Sequence, residues 1–241
     1  GNASFVPTYL LAKKARENVK VVLTGDGADE LFGGYPTYQA PYYHKIFSLT
    51  PTIFKKIIKS CINRIPVSHS RISLDYRLKQ LIKGLYLPYQ RAHYTWREVT
   101  PLNIQNELFK DEIRQKISSY DPFSVADSFF IKAQNLSVQN QLMFVDMNTY
   151  LLNDHLRKVD RMTMAHGLEA RVPFLDHRII ELIQGLPAKY KVSFLKSKKI
   201  LKYVAKPYLS KSVINGRKKG LTTPIASWIS EDLYNYVNDQ L

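Results

Sequence analysis

Residues 19–35 read Val-Lys-Val-Val-Leu-Thr-Gly-Asp-Gly-Ala-Asp-Glu-Leu-Phe-Gly-Gly-Tyr, and this segment is the most informative about the fold class. It opens with a β-branched run that is too short for a helix and is bounded by Thr24 and Gly25, which predicts a buried strand of a parallel sheet over residues 19–24. The preceding segment, from Tyr9 to Arg16, has apolar residues on one side and basic residues near its end, as a short amphipathic helix does. A helix that leads into a buried strand indicates an α/β layer.

The rest of the chain is predicted to be largely helical. The candidate helices cover residues 43–63, 74–85, 102–118, 122–134, 138–152, 155–166, 177–185, 197–208 and 224–240. A parallel strand needs neighbours, yet no second equally convincing strand occurs. We therefore predict a mainly α remnant of an α/β fold, in which the segment 19–24 is the only substantial strand and lies at or near the edge of an incomplete sheet. The segment 64–73 is the best candidate for a loop or insertion.

Size and composition predict a folded protein, because 241 residues with 45% hydrophobic content can bury a sizeable core. The sequence has no run of about 18 apolar residues and no secretory signal at its start, so a cytoplasmic location is expected. The single cysteine, Cys61, excludes a disulfide framework and is interpreted as a packing residue.

The net charge of +15 is the most unusual bulk property. It fits nucleic acid, an anionic membrane surface or a polyanionic small substrate such as a nucleotide, and composition alone does not choose among them. The basic residues are scattered through helix-like segments without an RNA-binding aromatic signature or zinc-finger spacing. Most of them are therefore interpreted as a solvated basic surface.

The loop after the strand has the composition of an anion site. Two glycines follow the strand directly, and three carboxylates (Asp26, Asp29 and Glu30) fall within five residues at the expected start of a helix. Glycines let backbone amides approach a phosphate, but carboxylates repel it unless a divalent cation lies between them. The combination indicates a magnesium nucleotide or magnesium pyrophosphate, with Asp29 as the best metal ligand. The alternative is an ordinary helix start whose acids complement the helix dipole, and spacing alone leaves both open.

Three sequence blocks carry a resemblance to a known family. Residues 24–35 resemble the Ser-Gly-Glu-Gly-Ala-Asp-Glu loop of asparagine synthetases and the Phe-Gly-Gly-Tyr that follows it, and residues 154–176 and 218–228 agree in order with two further blocks. The similarity runs essentially from residue 4 to residue 229. It implies most of a C-terminal synthetase domain, of the ATP pyrophosphatase (adenine-nucleotide alpha-hydrolase-like) type, over residues 1–241. That domain activates the aspartate side chain with ATP, giving β-aspartyl-AMP and pyrophosphate, and ammonia then displaces AMP.

The resemblance also implies roles for residues of the glycine loop. Thr24 and Gly25 match positions that contact ATP, and Gly27 belongs to the same ATP-binding loop. Asp26 matches an acid, usually Glu, that is needed to form the intermediate, and it is one methylene shorter here. Asp29 matches the position that binds magnesium and pyrophosphate.

The other two blocks supply the remaining candidates. Lys218 aligns with a lysine that neutralises charge on the phosphates in the transition state, and Lys219 replaces it if the alignment shifts by one residue. Lys158 and Arg171 are assigned to the ATP and pyrophosphate site because charges in an apolar stretch pair with each other or with a ligand. A structural ion-pair network among Lys158, Asp160, Glu169 and Arg171 is an equal alternative. His166 is interpreted as a packing or helix-capping residue.

The family pattern also contains parts that these 241 residues lack. A glutamine-hydrolysing member needs an N-terminal cysteine nucleophile in a glutaminase domain and a Ser-Gly-Gly-x-Asp-Ser nucleotide loop, so we expect a piece of a longer enzyme that is inactive alone. The expected cofactors and partners are ATP, Mg²⁺, aspartate, glutaminase-derived ammonia and a second copy of the chain, with no nucleic acid and no membrane. The alternatives are a relative that acts on another carboxylate, such as a β-lactam synthetase or an amidotransferase, and a silent scaffold.

Overall fold

The computed structural model describes residues 4–65, 74–96, 100, 102–216, 223 and 225–240, and it is helical over most of that length. The α-helices are α1 (Phe5–Arg16), α2 (Ala28–Phe32), α3 (Ala40–Leu49), α4 (Thr52–Asn63), α5 (Leu74–Leu85), α6 (Tyr89–Thr95), α7 (Leu102–Leu108), α8 (Asp111–Ile117), α9 (Ser124–Lys132), α10 (Val138–Asn148), α11 (Arg157–Met164), α12 (His177–Gln184), α13 (Lys199–Ala205), α14 (Lys211–Asn215), α15 (Ile225–Ser230) and α16 (Tyr234–Gln240). Short 3₁₀ turns cover Pro36–Tyr38, Pro173–Leu175 and Ala188–Tyr190, and a π-helix covers Leu151–Leu156. No helix of the described chain is long and apolar enough to cross a membrane.

The sheet has two parallel strands in the described chain. Strand β1 (Val21–Leu23) pairs with strand β2 (Glu169–Arg171), with Val22 opposite Ala170. A strand inside the predicted segment 19–24 is thus confirmed, and the prediction that it is the only substantial strand is wrong, because β2 is as long as β1. The sequence of β2 is Glu-Ala-Arg, which has no β-branched or aromatic residue, so its strand conformation comes from pairing with β1 rather than from propensity.

The prediction that the first strand is buried also needs correction. The side chains of Val21 and Leu23 are 41% and 73% exposed, and only Val22 between them is partly buried. The reason is architectural, because a strand in a parallel sheet is covered when helices pack on both faces. In the part of the chain that the structure describes, β1 has one neighbouring strand and a face that remains open.

The long predicted helices are divided where the sequence breaks them. The predicted segment 43–63 becomes α3 and α4, because Thr50 takes an extended conformation before Pro51. The helix predicted over 74–85 is confirmed with the same bounds, whereas the sequence analysis did not predict α6. In the predicted segment 138–152, the α-helix ends earlier than expected, at Asn148.

Two clusters of buried residues hold the glycine loop in place. One cluster lies around α10 and consists of Tyr38, Ala126, Phe130, Leu142, Met143, Val145 and Val192. The other surrounds α2 and consists of Ala28, Leu31, Phe32 and Ile183. Helix α2 contacts both α10 and α12, so the loop that precedes it is anchored by a buried element.

Candidate functional site

The glycine loop connects the end of β1 to the start of α2. Ligands of open parallel sheets bind outside the carboxyl ends of the strands, which is where this loop lies. Gly27 caps α2 at a φ of 83°, and a Cβ there would overlap the side chain of Leu175. At Gly25 a Cβ would meet nothing within 4 Å. The loop is therefore packed at Gly27 and open at Gly25, where another molecule can approach its backbone.

A cleft of about 320 Å³ lies beside the end of β1. Its lining residues come from α1, β1, the glycine loop, the π-helix, α11 and the turn before β2. They are Thr8, Leu11, Ala12, Ala15, Val22, Thr24, Asp26, His155, Lys158, Val159, Thr163 and Leu168. Three of the predicted site residues, Thr24, Asp26 and Lys158, thus share one cleft. They come from segments more than a hundred residues apart in sequence.

Thr24 provides a buried polar group on the cleft wall that is not satisfied within the protein. Its backbone N–H donates to the carbonyl oxygen of Arg171 at 2.9 Å, which extends the parallel pairing by one residue. Its hydroxyl Oγ1 is buried and has no hydrogen-bond partner in the described chain. Buried polar groups are almost always paired, so an unpaired hydroxyl on a cleft is a position for a ligand.

Lys158 provides the positive charge of the cleft. Its side chain is 6% exposed, and Nζ donates a 3.2 Å hydrogen bond to Ser4 Oγ. No carboxylate within the described residues forms an ion pair with Lys158. A buried ammonium without a counter-ion is unfavourable, and a bound anion would supply the missing partner.

The π-helix explains how Lys158 reaches the cleft. The segment Leu151–Leu156 is π-helical and ends just before α11, on which Lys158 lies. The wider π turn changes the register of the residues that follow it, and such turns are frequent at functional sites. His155 belongs to this turn and also lines the cleft, with its ring edge-on to Tyr150 at 4.7 Å. The sequence analysis missed His155, because a π turn has no recognised sequence signature.

Asp29 lies outside the cleft lining and is paired with a lysine that the sequence analysis did not select. Lys198 Nζ is 2.9 Å from Asp29 Oδ1. Lys198 has a left-handed backbone with a φ of 52°, a conformation that costs free energy in a non-glycine residue. A Cβ at Gly34 would overlap the Asp29 carboxylate, so only glycine permits this arrangement. Nothing in the Lys-Ser-Lys-Lys run at 196–199 distinguishes this lysine in sequence.

The third carboxylate of the loop points into the protein. Glu30 is 1% exposed, and its Oε1 accepts a 2.7 Å hydrogen bond from the Tyr35 hydroxyl. Burial raises the pKa of the Glu30 carboxyl, and burial also raises the pKa of Tyr35. Glu30 therefore packs inside the protein. Asp26 and Asp29 are the two carboxylates of the glycine loop that are partly exposed.

The other predicted residues occupy different positions. The Arg171 side chain is exposed and pairs with Glu169 at 2.9 Å, so the structure does not bring it into the cleft. Asp160 is also exposed. The His166 ring packs against Tyr9 at a centroid distance of 4.3 Å, as a packing residue does. Lys218 and its alternative Lys219 lie outside the described residues.

Comparison with known proteins identifies the family. The asparagine synthase family matches residues 1–241. Asparagine synthetase [glutamine-hydrolyzing] 1 of Bacillus subtilis is 30% identical over 97% of this chain and 35% of its own length. A putative asparagine synthetase [glutamine-hydrolyzing] of Mycobacterium bovis is 29% identical over 94% of this chain and 33% of its own length.

A more distant match has a different name. Amidase chry2 of Gibberella zeae is 24% identical over 92% of this chain and 35% of its own length. No solved structure matches. The chain thus spans about a third of the length of these curated relatives. Because the family match covers every residue of the sequence, the chain belongs to the asparagine synthase family.

Proposed function

We propose that this chain is the ATP-using part of a ligase that adenylates the side-chain carboxylate of aspartate and passes it to ammonia, giving asparagine, AMP and pyrophosphate. The observation that carries the proposal is that Thr24, Asp26 and Lys158 line one cleft at the carboxyl end of β1. Family membership supports the same function. The two parallel strands with a glycine loop between β1 and α2 support the proposal of an ATP pyrophosphatase-type, adenine-nucleotide alpha-hydrolase-like domain.

The cleft residues have complementary tasks in the proposed reaction. An aspartate carboxylate oxygen attacks the α-phosphorus of ATP, the bond between that phosphorus and the bridging oxygen to the β-phosphorus breaks, and pyrophosphate leaves with the electron pair. Lys158 and the Thr24 hydroxyl bind the phosphate oxygens, and the open backbone at Gly25 permits their close approach. Charge that develops beside a buried, fixed ammonium such as that of Lys158 is stabilised strongly. Lys218 is proposed to add a second cation.

The arrangement of carboxylates suits magnesium bound mainly through phosphate. Magnesium sites in nucleotide enzymes use one or two carboxylates plus phosphate oxygens and water. The described residues contain no group of three or more His, Cys, Asp or Glu side chains that could hold a metal ion by themselves, without oxygen atoms from a bound phosphate. Asp29 would hold the ion in exchange for its contact with Lys198, and Asp26 lies nearby in the loop. Bound there, magnesium would neutralise charge on the pyrophosphate.

The source of ammonia and the assembly state are also proposals. The names of the two bacterial relatives include glutamine hydrolysis. We propose that this protein receives ammonia from a glutaminase domain, works in the cytoplasm and associates with a second copy.

A second candidate is the same adenylation applied to another carboxylate. The match to a protein named as an amidase favours it, as do Thr24 and Asp26, which replace the Ser and Glu of the family loop. A carboxylate one methylene shorter at position 26 reaches a different point in the cleft.

The experiment that separates the two candidates uses the intact protein, meaning the longer enzyme of which this chain is expected to be a part. It measures AMP formation with ATP, Mg²⁺, ammonium and one carboxylic acid at a time. The proposal predicts AMP and asparagine in equal amounts with aspartate. AMP formation with another acid, and none with aspartate, would replace the first candidate by the second. No AMP with any acid, although ATP binds, would contradict both.

A further inference from the structure

The excess positive charge is concentrated in one part of the chain. Residues 31–97 contain eleven Lys and Arg residues and a single acidic residue, Asp75. This segment provides most of the +15 net charge of the protein, yet it supplies no residue to the cleft. The proposed function therefore does not explain why the charge is there.

Helix α4, in the middle of this basic segment, presents an apolar face to solvent. Ile53, Phe54 and Ile57 are 62%, 55% and 50% exposed, and Ile58 follows on the same side. Cys61, which the sequence analysis interpreted as a packing residue, is exposed as well. Residues at these spacings form one stripe along a helix. Here the stripe that normally packs onto a core points outward.

The opposite side of α4 is attached to the protein through its lysines. Lys55 Nζ lies 5.2 Å from the centre of the Phe47 ring, and Lys59 Nζ lies 5.2 Å from that of Tyr86. The Tyr86 hydroxyl donates to the Lys55 carbonyl oxygen at 3.2 Å. These contacts fix the rotation of α4 about its axis, so the exposure of the apolar stripe is a consequence of how the helix is held.

The end of α3 extends the apolar surface. Ile46 and Leu49 are 57% and 79% exposed, and Pro51 separates them from α4. Lys45 on α3 and Lys56 on α4 are exposed beside these apolar residues. We call this surface, formed by Ile46, Leu49, Ile53, Phe54, Ile57 and Ile58 with the neighbouring lysines, the α3–α4 surface.

We propose that the α3–α4 surface binds an anionic membrane, with α4 lying in the plane of the interface. Apolar side chains on one face and lysines on the other are the composition of interfacial helices. The isoleucines would enter the boundary between headgroups and acyl chains, and Lys45 and Lys56 would contact lipid phosphates. The expectation of no membrane partner rested on the lack of spanning segments, which does not bear on binding at the surface. This inference is independent of the adenylation proposal.

Charge and side-chain type favour a lipid surface over other partners. A groove for single-stranded nucleic acid stacks bases on aromatic rings, whereas this surface is mainly aliphatic. The absence of acids between residues 31 and 74 fits an extended anionic plane. A second copy of this basic surface would instead bring like charges together.

The test is sedimentation of the intact protein with vesicles of phosphatidylcholine alone and of phosphatidylcholine mixed with phosphatidylglycerol. We expect binding to the mixed vesicles only, weakening as salt rises. The double variant Phe54→Ser/Ile57→Ser should bind at least about tenfold more weakly, because each apolar side chain buried contributes several-fold to ten-fold in partitioning. Lys56→Glu should weaken binding by about tenfold or more, since each basic residue near an anionic surface contributes about fivefold.

Matched variants elsewhere serve as controls. Leu195→Ser removes an exposed leucine and Lys211→Glu reverses an exposed charge, both outside the α3–α4 surface, and both should bind within about twofold of the native protein. Equal binding to both vesicle types, or equal loss in the control variants, would overturn the proposal. So would a changed oligomeric state of the double variant without vesicles, which would make this face an interface between copies. If the double variant lost AMP formation in the absence of vesicles, the α3–α4 surface would be in contact with another part of the protein. That result would also overturn the proposal.

Discussion

Among single residues, Asp29 and Lys198 form an ion pair that bears on the proposed magnesium site. The resemblance selected Asp29 as the metal ligand, but the lysine beside it belongs to a segment about 170 residues away in sequence, so only the fold reveals the pair. Both side chains are about one-quarter exposed. If Asp29 holds the proposed magnesium, the Lys198 ammonium and the metal would compete for one carboxylate.

This competition predicts opposite effects of two substitutions on the magnesium requirement. Asp29→Asn should raise the magnesium concentration for half-maximal AMP formation by about tenfold or more, since it removes a charged ligand. Lys198→Met should lower that concentration by about two- to fivefold, the scale of a partly exposed ion pair. Magnesium titration of both variants, with Lys211→Met as the control, measures the effect. A rise in both variants would show that Lys198 does not compete with the metal.

A second prediction at the residue scale concerns Lys218 and Lys219. Lys218→Ala should lower the rate of aspartyl-AMP formation by roughly two to three orders of magnitude, the scale for losing one preorganised electrostatic group. Ground-state ATP affinity should change little. Lys219→Ala should be mild by comparison, as expected for a solvated neighbour. Single-turnover kinetics measures the rate in both variants. If Lys219→Ala caused the large loss of rate and Lys218→Ala only a small one, Lys219 would be the residue that neutralises charge on the phosphates.

At the scale of elements, sequence patterns predicted what depends on local periodicity and missed what depends on contacts. Helix α5 has the predicted bounds because its apolar spacing and the turn that follows are local. Strand β2 was missed because Glu-Ala-Arg becomes a strand only beside β1. The π-helix was missed because α10 and α11 read as two helices with a short gap. The π-helix supplies His155 to the cleft, and β2 holds the end of β1 through the bond from Thr24 N–H to the Arg171 carbonyl oxygen, which is why the site could be predicted only in part.

Helix α10 also carries a buried polar group whose role is structural. Asp146 is fully buried, accepts a 2.6 Å hydrogen bond from the Tyr38 hydroxyl and lies 2.9 Å from His93 Nε2. It thereby joins α10 to α6 and to the turn after the glycine loop. Asp146→Asn should lower the free energy of unfolding by about 2–4 kcal/mol, because it disrupts a buried polar network.

The control for this prediction is an aspartate in a surface pair. Asp127 contacts Arg91 at 2.8 Å and is 40% exposed, so Asp127→Asn should cost less than about 1 kcal/mol. Urea unfolding of both variants, with α-helix signal as the readout, gives the comparison. Equal losses would mean that the network around Asp146 adds nothing beyond a surface ion pair.

At the scale of the whole molecule, the open face of β1 bears on assembly. The sequence predicted a parallel strand with few neighbours, and the structure shows β1 paired to β2 alone within the described residues. Leu23 is 73% exposed on this strand, and exposed apolar strands favour association.

We therefore predict that the 241-residue chain associates with itself at high concentration and that Leu23→Thr weakens the association. Threonine is β-branched, which suits a strand, and it has less apolar surface than leucine. Light scattering over a concentration series provides the measurement. A monodisperse native monomer at high concentration would contradict the expected association.

If the cleft beside β1 is the proposed adenylation site, aspartate-dependent exchange of labelled pyrophosphate into ATP depends on the residues that line it. The intact protein should catalyse exchange only when aspartate is present, and Lys158→Met should reduce the rate by about a hundredfold or more, since it removes a buried cation from the site. The matched surface variant Lys211→Met should retain the native rate. Exchange that persists unchanged in Lys158→Met, or that Lys211→Met loses equally, would contradict the account.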